Sequence, residues 1–197
     1  MLGKTHIAVG AATALTLLGT NDVSTITLGT TLAAVGATLA DVDTKESKAA
    51  KGLANTALII LVALVVAPVF KTIPSDLLNK STLLSSINLN PIAIAMAVGY
   101  GIIGVTSDHR GFTHTIEGTL LISLAMVLII PRLAPWFIIG YITHPIIDLL
   151  NYKPVRLTMF SKKRFALKLC HAGGPVDKVI RILAIVWTVI MLGFRIA

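Results

Sequence analysis

The sequence predicts an all-α integral membrane protein: a polytopic bundle of about seven transmembrane segments with a cytoplasmic N-terminus. Of its 197 residues, 55% are hydrophobic and only 13% are charged, and the mean hydropathy is +0.85. This balance lies far outside that of soluble domains. Several charge-free stretches approach the ~20 residues that cross a ~30 Å hydrocarbon layer as a helix. The alternative is a soluble α/β core, but its buried strands normally take only about 4–8 residues each.

Apolar runs separated by charged residues, prolines and glycines define the individual segments. They are residues 5–20, 23–40, 53–70, 91–107, 114–131, 133–151 and 179–196. Residues 81–90 are rich in Ser and Asn and break at Pro91, so we expect a loop or interfacial turn there. The first segment also resembles a secretory signal, but no clear stop follows it and we expect it to be retained. The chain then forms a single membrane domain, 1–197.

Lysine and arginine predict the orientation, because loops rich in these residues stay in the cytoplasm. With the N-terminus inside, 13 of the 17 cations fall on the cytoplasmic side. Many of them lie in a basic cytoplasmic loop at about 152–178. We therefore expect a multi-pass protein of a bacterial or archaeal cell (inner) membrane.

Histidines and aspartates gather at the ends of several predicted segments. They are His6, Asp41, Asp43, His109, His114, His144 and Asp148. The topology drawn from charge and hydropathy places all of them on the cytoplasmic side. Ionisable residues in membrane segments are costly and commonly functional. These residues are therefore predicted to share one site.

His144 and Asp148 form an HxxxD pattern, and a spacing of four stacks both side chains on one helical face. Pro145 lies between them and removes a backbone donor. The pair could hold or bridge metal ions, or it could be a buried hydrogen bond that joins two helices. Asp41 ends a stripe of small residues, Gly29, Ala33 and Ala37, at four-residue spacing. Such stripes let helices approach closely in lipid, so Asp41 is expected to face the bundle.

The sequence HRGFTH fits a loop that leads into a helix. Gly111 is expected to allow the turn and Thr113 to cap the next segment. His114 and Glu117 then share a face, so Glu117 is a candidate catalytic partner or extra ligand. Arg110 is expected to clamp an anionic group such as phosphate, unless it only obeys the positive-inside rule.

Histidine nitrogens and carboxylate oxygens without thiolates suit zinc, while manganese or iron are not excluded. Cys170 is the only cysteine, so a thiolate site and an internal disulfide are both excluded. The number of candidate ligands indicates two or more ions, which favours phosphoryl chemistry with a water-derived nucleophile. Asp43 would bridge ions or act as base, or it is an ordinary loop acid. Asp177 is a further, weaker candidate.

The basic loop interleaves cations with apolar residues in SKKRFALK, at positions 161–168. Such a segment lies on anionic headgroups, where each cation contributes ~1 kcal/mol. Membrane lipids are thus expected partners, and the loop could also recruit a phospholipid substrate. No nucleic acid is expected as a partner.

Taken together, His6, Asp41 with Asp43, HRGFTH and the stretch GYITHPIIDLLN resemble the YdjM-type, LexA-binding family of bacterial inner-membrane metal-dependent hydrolases. The resemblance spans nearly the whole chain. Ala40 stands where the family commonly has a proline, and Thr44 where it commonly has a histidine. The family is more distantly similar to zinc-dependent phospholipase C and related single-strand nucleases, which implies phosphoester hydrolysis by clustered zinc ions.

The sequence thus predicts a membrane-embedded phosphoesterase that acts on a lipid or lipid-linked substrate at the cytoplasmic face. Two alternatives stay open. A metal or proton transporter could use intramembrane His and Asp residues, although such sites commonly lie near the midplane between inverted repeats. A non-catalytic scaffold could bind a soluble protein partner through the basic loops.

Overall fold

The computed structural model describes residues 1–43 and 87–196, and this part of the chain is mostly helical. The helices are α1 (Gly3–Leu17), α2 (Val23–Leu39), α3 (Pro91–Thr106), α4 (Ile116–Ile129), α5 (Ala134–Asp148) and α6 (Pro175–Ile196), and Ala40–Asp43 and Phe112–His114 form 3-10 turns. Two short strands, β1 (Val155–Arg156) and β2 (Arg164–Phe165), pair antiparallel in the basic loop. The six helices coincide with six of the predicted segments; the segment 53–70 lies outside the described residues.

A bundle of seven full membrane spans is not confirmed by this structure. Within the described residues, one helical stretch, Val23–Asp43, is long and apolar enough to cross a membrane. Helices α1, α3, α4 and α5 have 14 to 16 residues, so each is about 21–24 Å long at 1.5 Å per residue. That is shorter than the ~30 Å hydrocarbon layer. Helix α6 has 22 residues but carries charged side chains near both of its ends.

Side-chain caps begin several helices. Asp22 accepts a hydrogen bond of 2.8 Å from the backbone N–H of Thr25 at the start of α2, and the hydrogen bonds from Thr25 lower the pKa of this carboxyl group. The hydroxyl of Thr115 caps α4 by accepting from the N–H of Gly118 at 3.2 Å. The prediction that Thr113 would be this cap is therefore wrong by two residues. The helix begins one short turn later than the spacing suggested, which leaves Thr113 free for another contact.

The predicted stripe of small residues is confirmed as the face along which α2 packs on α5. A Cβ atom added at Gly140 in α5 would lie 2.0 Å from the carbonyl oxygen of Ala33, and one added at Gly36 would lie 2.3 Å from the carbonyl oxygen of Phe137. The two backbones therefore touch directly. Glycine is required at both positions because any side chain would push the helices apart.

We predict that Gly140→Ala lowers the thermal unfolding temperature of the detergent-solubilised protein. The added methyl group overlaps the backbone of α2, and overpacking of this kind costs about 1–3 kcal/mol. Circular dichroism during heating measures the effect. Gly193→Ala in α6 is the control, because no atom lies within 4 Å of the added Cβ. Equal unfolding temperatures for the two variants would contradict the proposed close contact.

Candidate metal site

All seven predicted ligands lie together at one end of the helix bundle. They come from the start of α1, the turn after α2, the turn between α3 and α4, and the end of α5, and they are His6, Asp41, Asp43, His109, His114, His144 and Asp148. In the described part of the chain they form three overlapping groups with donor atoms within 4.8 Å of one another. The groups are His6, His144 and Asp148; Asp41, His114 and His144; and Asp41, Asp43 and His109. The structure thus brings the seven predicted residues together, and their role as metal ligands stays a prediction.

His144 is oriented by the backbone of α2. Its Nδ1 lies 2.6 Å from the carbonyl oxygen of Ala37, and a carbonyl can only accept, so Nδ1 carries the proton. In the neutral ring the other nitrogen, Nε2, carries the lone pair, and it lies 3.5 Å from Asp41 Oδ1 and 4.0 Å from Asp148 Oδ2. A backbone carbonyl that fixes the tautomer in this way is a common arrangement around metal-binding histidines.

His6 and His114 also present buried nitrogens without hydrogen-bond partners among the described residues. Both nitrogens of His6 and Nε2 of His114 are in this state, and the rings of His6 and His144 stack with centroids 3.7 Å apart. An unsatisfied buried polar group costs about 1–3 kcal/mol, so these nitrogens indicate a missing electrophilic partner.

Asp148 is the negative centre of one half of the cluster. Its Oδ2 lies 2.8 Å from Arg110 Nη2, and its Oδ1 lies 3.3 Å from Nε2 of His6. Oδ1 also accepts hydrogen bonds from the N-terminal amine of Met1 at 2.5 Å and from the amide of Asn151 at 3.0 Å. With several cationic groups around it, this carboxylate is held in its ionised form.

Asp43 is the negative centre of the other half, instead of an exposed loop acid. It is only 2% exposed, and its Oδ1 lies 2.8 Å from Nδ1 of His109. Its Oδ2 accepts from the backbone N–H of Arg110 at 2.9 Å and from the hydroxyl of Thr113 at 2.7 Å, with Nδ1 of His114 at 3.4 Å. Thr113, predicted as a helix cap, thus orients this carboxylate.

The turn of HRGFTH is built differently from the prediction. Arg110, not Gly111, adopts the left-handed conformation, with φ of +61°, and such a conformation in a non-glycine residue persists only where its surroundings hold it. Gly111 is needed for space, because a Cβ atom there would lie 2.4 Å from the carbonyl oxygen of Asp108. The strained turn directs the N–H of Arg110 to Asp43 and its guanidinium to Asp148.

Two of the predicted catalytic residues have other partners in this structure. Arg110 is buried, pairs with Asp148 and donates to the carbonyl oxygen of Lys153, although its Nε has no partner among the described residues. Glu117 is not brought to the cluster. Its carboxylate accepts from the hydroxyl of Thr158 and, at 3.0 Å, from the N–H of Met159, so it holds part of the basic loop.

Two buried tyrosine hydroxyl groups behind the site were not predicted from the sequence. The hydroxyls of Tyr100 and Tyr141 lie 2.6 Å apart, and Tyr141 donates to the carbonyl oxygen of Thr113. These hydroxyl groups tie α3 and α5 to the turn that carries His114. The weaker candidate Asp177 accepts from the N–H groups of Leu2 and Gly173 and is absent from the three donor groups. Periodicity alone could have found Tyr141, which lies one turn before His144.

The donor set fits divalent metal ions. Since Nδ1 of His144 is used by the backbone, its single free nitrogen can serve only one of the two groups that include it. The group of His6, His144 and Asp148 and the group of Asp41, Asp43 and His109 share no residue, so they can act as separate three-ligand sets. Nitrogen and oxygen donors of this kind suit zinc, manganese or iron.

The fold and the site together define the class of protein. It is a mostly helical protein with a buried cluster of histidines and aspartates at one end of its bundle. The family model described as YdjM inner membrane protein matches residues 1–197. The chain belongs to this family, as the resemblance in its motifs predicted. No curated protein and no solved structure gives a significant match, so the distant likeness to phospholipase C stays a prediction.

We predict that His144→Ala lowers the zinc content of protein purified after zinc loading. The substitution removes one ligand of the set formed with His6 and Asp148, so zinc should be lost from that set. Elemental analysis of the detergent-purified protein measures zinc per chain. His171→Ala is the control, because His171 stacks on Tyr152 outside the cluster and should retain full zinc. Equal zinc in the two variants would reject the ligand assignment.

We also predict that Thr113→Val weakens zinc binding about 10-fold, because groups that orient a ligand commonly contribute 10–100-fold in metal affinity. The substitution keeps the shape of the side chain and removes the hydrogen bond to Asp43. Competition with a fluorescent chelator measures the affinity. Thr106→Val is the matched control, since its hydroxyl bonds only to carbonyl groups of its own helix. An unchanged affinity in Thr113→Val would contradict the role of Thr113.

Proposed function

We propose that this protein is a membrane-bound, metal-dependent hydrolase, and more closely a phosphoesterase that acts on a lipid or lipid-linked substrate at the cytoplasmic face. The proposal rests on the buried imidazole nitrogens of the cluster. They lie close to carboxylates, yet several of them make no hydrogen bond with any described residue. A purely structural core would satisfy these nitrogens, since nearly all buried polar groups in folded proteins are paired.

Two ions, most simply zinc, fit the two donor groups that share no residue. His6, His144 and Asp148 would hold one, and Asp41, Asp43 and His109 the other, with Nε2 of His114 available between them. Bound divalent ions supply a hydroxide nucleophile near neutral pH and stabilise charge on a phosphoryl group. The ring stacking of His6 on His144 keeps both donors in fixed positions.

The remaining residues orient the ligands and the substrate. Asp43 has its two oxygens turned to different partners, His109 on one side and Thr113 on the other, which suits a bridging or proton-accepting carboxylate. Arg110 would contact the anionic group of the substrate through its unpartnered Nε. Its guanidinium lies beside Asp148, so it is held at the cluster before any substrate arrives. Arginine is well suited to planar recognition of phosphate.

The membrane setting favours a lipid substrate. The family is one of inner membrane proteins, and the basic loop exposes Phe160 and Leu167 beside its cations. Within this proposal the chain crosses the membrane about seven times, with its N-terminus and the cluster on the cytoplasmic side. The choice of a phosphoester bond rests on the expected, distant likeness of the motifs to zinc-dependent phospholipase C. The position of the cluster at helix ends favours hydrolysis at the membrane surface over transport through the midplane.

The test is hydrolysis in proteoliposomes of phosphatidylglycerol and phosphatidylethanolamine, with water-soluble and lipid products followed by mass spectrometry. We predict that zinc-loaded protein releases a phosphorylated headgroup or phosphate, that a chelator stops release and that added zinc restores it. His114→Ala should reduce the rate by more than the ~100-fold typical of ligand-orienting residues, whereas His171→Ala should not. Product formation that survives both chelation and His114→Ala would contradict the proposal.

A further inference from the structure

An apolar cavity opens beside the metal cluster, the group of histidines and aspartates that forms the candidate metal site. It has a volume of about 330 Å³ and lies between α4 and α5. Six of the side chains that line it are His114, Ile116, Leu120, Ile142, Ile146 and Leu157. Ligand pockets of this size are ordinary for small molecules, but they usually carry several orienting polar groups. Here the lining is almost entirely aliphatic, so the occupant is held by burial of apolar surface.

The outer side of this cavity is continuous with the apolar surface of the bundle. Ile116 and Leu120 on α4 are 61% and 62% exposed, and Ile146 on α5 is 55% exposed. These side chains therefore line the cavity and also face outward, as far as the described residues show. In a protein of an inner-membrane family, an outward apolar surface of this kind faces lipid. A hydrocarbon chain can then enter the cavity without crossing water.

The inner side of the cavity ends at the metal cluster. His114 lines the cavity and is 1% exposed, and its unpartnered Nε2 lies 3.7 Å from Oδ2 of Asp148. One side chain thus belongs to both the apolar cavity and the donor set. A molecule with an apolar chain in the cavity would place a polar group attached to that chain at the cluster.

Glu117 fixes one wall of the cavity. The carbonyl oxygen of Leu157 accepts from the N–H of Ile116 at 2.9 Å, and the carboxylate of Glu117 holds Thr158 and Met159. The side chain of Leu157 is thereby kept over the start of α4. Phe160, the residue after Met159, is strongly exposed. Together with the nearby cations it suits contact with a headgroup layer.

We propose that this cavity holds an acyl chain of a phospholipid substrate, with the phosphoester at the metal cluster and the chain between α4 and α5. The inference rests on the proposed function and narrows its substrate class to phospholipids with long acyl chains. Apart from His114 and Thr119, the side chains that line the cavity are apolar, so they offer little to the polar groups of a soluble sugar phosphate or nucleotide. Each additional buried methylene group should tighten binding about fourfold, so chain length determines which substrates bind well.

The experiment uses phosphatidylglycerol with a diazirine near the end of one acyl chain, added to zinc-loaded protein in detergent micelles. After irradiation, mass spectrometry of peptides locates the adducts. We expect adducts on the cavity faces of α4 and α5 and their loss on addition of excess unlabelled phosphatidylglycerol, but not of glycerol phosphate. Adducts spread equally over the outer surface of α6 and the cavity would overturn the proposal.

Variants sharpen the test. Ile146→Trp and, from the opposite wall, Leu120→Trp fill the cavity and should each reduce cavity adducts at least fivefold while zinc content is retained. Leu124→Trp is the matched control, because Leu124 is exposed on α4 and does not line the cavity. Unchanged adducts in both filled variants would overturn the proposal.

Different results would reject the hydrolase proposal and the acyl-chain proposal. Labelling that depends on the cavity, without any zinc-dependent hydrolysis, would reject the hydrolase and leave the acyl site. Hydrolysis of long-chain phosphatidylglycerol that is unaffected by Ile146→Trp and Leu120→Trp would reject the acyl site and leave the hydrolase.

Discussion

The direct backbone contact between α2 and α5 is the constraint on which the rest of the site depends. Gly36 and Gly140 let the two helices approach until backbone atoms touch, and at that distance the carbonyl oxygen of Ala37 reaches Nδ1 of His144. This hydrogen bond decides which nitrogen of His144 faces the cluster. A bundle with larger residues along this face would still bury apolar surface, but its central histidine would lose its orientation.

From that fixed point the cluster is assembled by contacts between residues far apart in the sequence. Asp148 contacts Arg110 and His6, and Asp43 contacts His109 and Thr113. The carboxylates are well supplied with donors, whereas several imidazole nitrogens are not. A bound metal ion would offset this imbalance, because it accepts imidazole lone pairs that no protein donor satisfies. The same side chain, His114, also lines the apolar cavity between α4 and α5.

Much of this arrangement follows from local rules that can be applied to the sequence alone. Four-residue spacing places His144 and Asp148 on one face and aligns the small residues of α2, and both outcomes are confirmed. The topology predicted from charge and hydropathy also places the ligands at one end of the helix bundle. This placement requires the segments to alternate in direction, but it does not require each helix to be long enough to cross a membrane.

Other features depend on tertiary partners that spacing cannot identify. Glu117 lies on the predicted face, yet residues 158–159 of the basic loop take its carboxylate. Thr113 and Thr115 are both of a residue type that commonly caps helices. Only the position of Asp43 explains why the side chain of Thr113 does not cap α4. The left-handed backbone at Arg110 is likewise imposed by contacts across the site. Seven full membrane spans are not confirmed in the described residues, because hydropathy counts apolar residues in short turns together with those in the helices.

X-ray absorption at the zinc edge tests the central claim most directly, because it reports the atoms around the ion without reference to any substrate. The structure predicts a shell of nitrogen and oxygen atoms at about 2.0–2.1 Å, outer scattering from imidazole rings, and no sulfur at about 2.3 Å. A spectrum from zinc-loaded, washed protein that shows oxygen neighbours alone, without imidazole scattering, would contradict the account.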